Sequence, residues 1–99
     1  MIKLEENVRI GPYVRILTGT HEYANNVFRR GSGSVDIKKP VIIERGCWIG
    51  MGATILPGIT LREGCVIAAN ATVIESTLPN GLYAGTPAQR IKNLSVGDD

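Results

Sequence analysis

The sequence predicts an all-β chain that winds into stacked coils of short parallel strands. Three observations carry this expectation. From Val41 to Ser76 an aliphatic residue recurs every six positions, at Ile43, Ile49, Ile55, Leu61, Ile67 and Val73. Two places before each stands another apolar and often small residue: Val41, Cys47, Ala53, Ile59, Cys65 and Ala71. Three places after each comes Gly46, Gly52, Gly58, Gly64, Asn70 or Ser76. Six is a multiple of two, so first and third positions of every hexad share one strand face and point inward. Gly and Asn tolerate positive φ, so the sixth position is where the chain turns. A single hexad cannot bury its apolar face, and such units must stack on one another.

Each segment follows from that phase. Ile2, Val8 and Val14, with Leu4, Ile10 and Ile16 two places later, supply a first coil over residues 2–19. Residues 20–40 break the pattern and form a loop thrown out from one edge; long loops in compact domains tend to be functional. Residues 41–76 supply two further coils. Residues 77–94 form a C-terminal extension. In it Thr86-Pro87 opens a short helix running to about Leu94, with Pro at its first position. The final SVGDD reads as a frayed tail.

Bulk properties bound the function. The 99 residues make one domain, and a core this small invites support from oligomerisation. A net charge of +2 without long single-sign runs gives no basis for nucleic-acid binding. No stretch approaches the roughly 20 apolar residues of a membrane span, and the opening MIKLEEN lacks a signal-peptide core. Two cysteines without such a signal point to reduced thiols and a cytoplasmic location.

The chain has one histidine, His21, at the root of the loop within Thr18-Gly19-Thr20-His21. A lone loop histidine is ordinarily a solvated side chain. After the loop comes Pro40-Val41-Ile42-Ile43-Glu44-Arg45-Gly46-Cys47-Trp48-Ile49-Gly50, and near the end Ala84-Gly85-Thr86-Pro87-Ala88. With these elements the chain resembles the hexapeptide-repeat acyltransferases, and within them the galactoside and maltose O-acetyltransferases, from about Val8 to Leu94. The resemblance implies a left-handed parallel β-helix with three corners and 18 residues per turn, a hand that periodicity does not determine. It also implies acetyl transfer from acetyl-coenzyme A to a hydroxyl of a sugar or sugar-like acceptor. An alcohol attacks well only when a base takes its proton, and a histidine, with a pKa of about 6.5, suits that role near neutral pH. The oxyanion formed on the thioester carbonyl then needs backbone N–H donors. Glu22 is a poor candidate to orient His21, because adjacent side chains in extended backbone point apart.

The resemblance assigns coenzyme contacts to positions matching Trp48, Gly50, Met51, Ala68 and Ala69, and phosphate contacts to the C-terminal bases Arg90 and Lys92. Trp48, a second-position residue, should face outward, where packing against a neighbouring subunit is the plainer role. For Arg90 and Lys92 the plainer role is a solvated helix face. Cys47 and Cys65, 18 apart, should lie one above the other inside the prism, within disulfide reach but expected as buried thiols. The family implies a homotrimer with sites between prisms, and end-to-end pairing would give a hexamer. Two departures stand out. Ile74-Glu75-Ser76 replaces the family's Thr-Lys-Asp, setting a carboxylate where a phosphate-binding lysine is expected. The chain also begins one coil before the histidine. A non-catalytic trimeric β-helix module is the alternative. Zinc chemistry of the β-helical carbonic anhydrase kind needs three histidines per site, which one histidine per chain does not supply, so no metal site is expected.

Overall fold

The computed structural model describes residues 1–21 and 36–96. Its strands are β1 (Ile2–Leu4), β2 (Arg9–Ile10), β3 (Arg15–Ile16), β4 (Gly19–His21), β5 (Asp36–Lys38), β6 (Val41–Ile43), β7 (Trp48–Ile49), β8 (Thr54–Ile55), β9 (Thr60–Leu61), β10 (Val66–Ile67), β11 (Thr72–Val73), β12 (Gly81–Ala84) and β13 (Gln89–Asn93). Nine of them stack in three parallel ladders: β1-β6-β9, β2-β7-β10 and β3-β8-β11.

The ladders obey the hexad count. Ile42 pairs with Thr60, Trp48 with Val66 and Thr54 with Thr72, each 18 residues on. Below them Arg9 pairs with Trp48 and Arg15 with Thr54. That offset is 39, or 18 plus the 21 residues of 20–40, so the insertion leaves the winding in register. The chain turns where expected. Asn7, Tyr13, Gly46, Gly52, Gly58, Gly64 and Asn70 all have φ between 60° and 81°. At Gly52 a side chain would also collide with the Asn70 carboxamide stacked on it, so the corner excludes a Cβ twice over.

All twelve first and third positions of the six hexads are buried, none more than 5% exposed. The first winding differs. Leu4 and Ile10 occupy third positions yet are 49% and 42% exposed. They have a neighbour on one side only, because among the described residues nothing lies beneath them.

The opposite end is closed by residues 76–94. The Thr60 N–H donates to Ser76 Oγ and the Arg62 N–H to Thr77 Oγ1, both at 2.9 Å, which satisfies the outer edge of β9. Above β11, the Thr72 N–H donates to the Gly85 carbonyl and the Ala88 N–H to the Thr72 carbonyl. Above β10, β12 pairs in parallel and β13 closes on β12 antiparallel. An open ladder of unpaired N–H and C=O groups invites foreign strands, and this cap covers the last winding's edge on all three faces, leaving β13 as the outer strand of the second.

One expectation needs correction. The short C-terminal helix is absent: Gln89–Asn93 is a strand, and the Thr86-Pro87 peptide is cis. The eight-residue segment is too short to hold a helix alone, and β12 offers it an edge to pair with. Within the segment expected as a loop, Asp36–Lys38 pairs antiparallel with Gly19–His21.

Candidate active site

The second face carries the main cluster of expected coenzyme residues. Its outward positions align, rung by rung, as Arg9, Trp48, Val66, Leu82 and Lys92. Trp48 is 50% exposed, pointing outward as its place in the hexad requires. The Arg9 guanidinium lies over the indole, 5.3 Å from its ring centroid, a cation–π contact. Arg9 was missed in the sequence, although the signal was there: it and Trp48 are both second-position residues on one face. With strands about 4.8 Å apart, Lys92 stands three rungs, roughly 14 Å, from Trp48. The column thus has an apolar middle and a cation at each end.

Beside it lies the corner that follows β7. The Gly50 N–H donates to the Ile67 carbonyl at 2.7 Å, and the Asn70 N–H donates to the Met51 carbonyl. A Cβ on Gly50 would lie 2.8 Å from the Ala69 nitrogen. Gly50, Met51, Ala68 and Ala69 therefore form one closely stacked pair of corners. Met51 and Ala69 are exposed, Gly50 and Ala68 half-buried. Small side chains leave backbone accessible beside the Trp48 column.

Arg90 and Lys92 sit differently. Lys92 is exposed on β13. Arg90 is half-buried and its donors are engaged at home. Nε bonds to Asn93 Oδ1; Nη1 to the Leu78 carbonyl and the Tyr83 hydroxyl; Nη2 to the Pro79 and Asn80 carbonyls. It also lies over the Tyr83 ring at 5.6 Å. Gly81 leaves the room its guanidinium fills. The geometry makes Arg90 a brace for the turn at 78–80.

His21 is the last residue of β4, across the ladder from Asp36. The hairpin leaves the prism at the corner after β3. The Lys39 N–H closes its base on the Thr18 carbonyl at 2.8 Å, and the Lys39 side chain covers Gly58. The Trp48 column is on another face, so the structure does not bring His21 and the coenzyme cluster together on one ladder. Glu22, the weak candidate for orienting His21, lies outside the described residues.

Cys47 and Cys65 are stacked as expected, and both are free and buried. Each thiol donates to a carbonyl at 3.1 Å, Cys47 to Arg62 and Cys65 to Leu78. Burial pushes the Cys47 thiol up to about 11. A separate concavity of about 420 Å³ opens at the first corner, lined by Glu5, Glu6, Glu44, Arg45 and Glu63. Its one cation, Arg45, is already paired with Glu63. A wall this acidic repels a phosphorylated coenzyme, and it lies away from Trp48.

Residues 40–75 match the family described as hexapeptide repeat of succinyl-transferase. Over 92 residues the chain is 32% identical to a galactoside O-acetyltransferase of Lactococcus lactis, an alignment covering 93% of this chain and 43% of that protein. A hexapeptide-repeat-containing acetyltransferase of Vibrio cholerae, solved with acetyl-coenzyme A, superposes with a TM-score of 0.86 at 33% identity, covering 95% of this chain and 50% of that one. A galactoside acetyltransferase solved with coenzyme A gives 0.85 at 29% identity, over 95% of this chain and 46% of the other. The chain thus spans about half the length of these relatives. With hexads and an 18-residue register on the same winding, the chain carries the hexapeptide repeat and is similar to hexapeptide-repeat acetyltransferases over nearly its whole length.

Proposed function

We propose that the chain is an acetyl-coenzyme A-dependent O-acetyltransferase, wound left-handed like the enzymes it resembles and acting in the cytoplasm on a sugar or sugar-like hydroxyl. One observation carries this: 95% of the chain follows the fold of the Vibrio cholerae acetyltransferase that binds acetyl-coenzyme A, at 33% identity. The acceptor class is supported by the likeness to the Lactococcus lactis galactoside O-acetyltransferase.

In this proposal the pantetheine arm runs along the Trp48 column, beside the backbone of Gly50, Met51, Ala68 and Ala69. Lys92 meets the coenzyme's phosphates. Arg90, with its donors engaged at home, shapes the turn beside them. His21 takes the proton of the acceptor hydroxyl as the oxygen bonds to the acetyl carbon. The carbon–sulfur bond breaks, and coenzyme A leaves as a thiolate that regains that proton. The trimer supplies what one chain lacks. His21 and the Trp48 column lie on different sides of a prism, so a neighbour's hairpin must bring the base to the column. The half-exposed apolar floor at Leu4 and Ile10 suits pairing of two trimers end to end. A non-catalytic trimeric module is favoured by one observation, the exposed carboxylate of Glu75 at a corner expected to be cationic.

The test is acetyl transfer to a panel of sugars and hydroxylated antibiotics by wild type and His21→Ala. A general base predicts a fall of ~10²–10⁴-fold in kcat for the variant. Equal turnover by both would remove His21 from the mechanism, and no turnover by wild type would favour the module.

A further inference from the structure

We infer that the acceptor is an anionic sugar, one bearing a carboxylate or a phosphate, held at the first winding by Arg9 and Arg15 with Tyr13 between them, an assignment that rests on reading the chain as a sugar O-acetyltransferase. Two features direct the reacting end of the site to that winding. The second face runs β13-β12-β10-β7-β2, so a coenzyme with its phosphates at Lys92 and its arm along Trp48 carries the acetyl group towards β2. The hairpin to which His21 belongs leaves the same winding, its base closed by the Lys39 N–H on the Thr18 carbonyl.

The corner between β2 and β3 is electropositive and has no counter-charge of its own. Arg9 and Arg15 lead the two strands, and both are exposed. From Asn7 to His21 the sequence has no acidic residue. Residues 50–52 and 68–70, stacked above the corner, are uncharged. Ion pairs between described residues use Arg45 and Arg62 instead, and the acidic concavity lies at the preceding corner. Cations left unbalanced in this way draw an anion in, and the guanidinium fork suits carboxylate and phosphate alike. Tyr13 offers the sugar a surface. It is 80% exposed and has a φ of 61°, a left-handed conformation that a bulky side chain adopts only under strain. The turns above it use Gly52 and Asn70, which adopt it readily. An aromatic ring kept there presents its face to the C–H groups of a sugar.

The chain has one tryptophan, and Arg9 lies 5.3 Å from its ring centroid, so Trp48 fluorescence reports binding at this corner without coenzyme. Galactose, galacturonic acid and galactose-6-phosphate are titrated into wild type, Arg15→Gln and Tyr13→Asn. The two anionic sugars should bind about tenfold more tightly than galactose, and Arg15→Gln should remove most of that preference. Added salt should weaken it. Tyr13→Asn should weaken binding of all three sugars while raising the denaturation midpoint, which separates a lost contact from a lost fold. Equal affinity for galactose and the anionic sugars, or a preference untouched by Arg15→Gln, overturns the inference. Inorganic phosphate or adenosine diphosphate binding as tightly as galactose-6-phosphate also overturns it, because the cations would then serve any anion or the coenzyme. A protein that binds galacturonic acid but acetylates no sugar loses the proposed reaction and keeps the anionic-sugar site. One that acetylates galactose and galacturonic acid with equal kcat/KM keeps the reaction and loses the inference.

Discussion

Cys47 shows how much a single position tells. Its place at the head of a hexad predicted an inward thiol, and the structure buries it completely and leaves it reduced. Burial pushes its pKa from 9.0 to about 11. The folded state therefore holds this proton more tightly than the unfolded chain. The associated stability is fully present below pH 9 and is lost as pH rises towards 11, at about 1.4 kcal/mol per pH unit from this group. Denaturant titrations at pH 8 and pH 10.5 should show the later value lower, and a thiol reagent at pH 8 should react only on unfolding. Gly50 gives a steric counterpart. A methyl group there would come 2.8 Å from the Ala69 nitrogen and 2.9 Å from the Ile67 carbonyl oxygen, backbone atoms held by ladder bonds. Gly50→Ala should cost about 1–3 kcal/mol, seen as a lower denaturation midpoint. What single positions did not disclose was partnership. Arg9 under Trp48 emerges only when the windings are laid side by side.

At the scale of elements, the hexads were legible because inward packing and corner chemistry repeat in step. Each of the six from Val41 to Ser76 shows apolar first and third positions and a corner residue, and the structure buries all twelve inner side chains. The C-terminal segment was misread because Thr-Pro followed by Ala-Gln-Arg carries helix-start chemistry. Its fate depends on something local sequence does not show, the free edge of β12. Arg90 then acts as the pin of that hairpin and its turn, bonding to the carbonyls of Leu78, Pro79 and Asn80. Lysine has no planar fork to reach several acceptors at once. Arg90→Lys should therefore destabilise the fold by roughly 2 kcal/mol, measured by chemical denaturation, while Lys92→Ala should leave stability unchanged and weaken coenzyme binding.

At the scale of the molecule, the prism is asymmetric. One end is capped by residues 76–94, and the other presents Leu4 and Ile10 half exposed. The column Ile10, Ile49, Ile67 samples that gradient. Ile49→Ala should cost about 2–5 kcal/mol, and Ile10→Ala roughly half as much, because half its surface is already wet. Equal costs would mean that another surface covers the first winding in solution. The winding was legible from the period, and the candidate site only in part. The Trp48 column follows from hexad phase, whereas the distance between that column and His21 within one chain depends on which corner the hairpin leaves. In the proposed trimer, that separation is closed by a neighbouring chain.

Calorimetric titration of the protein with acetyl-coenzyme A, with its mass in solution determined on the same sample, tests the central claim most directly. One site per subunit in a trimer is the expected result, with the affinity reduced in Trp48→Ala and Lys92→Ala. A folded protein that takes up no heat at millimolar coenzyme, or that binds one coenzyme per chain as a monomer with Trp48 dispensable, would contradict it.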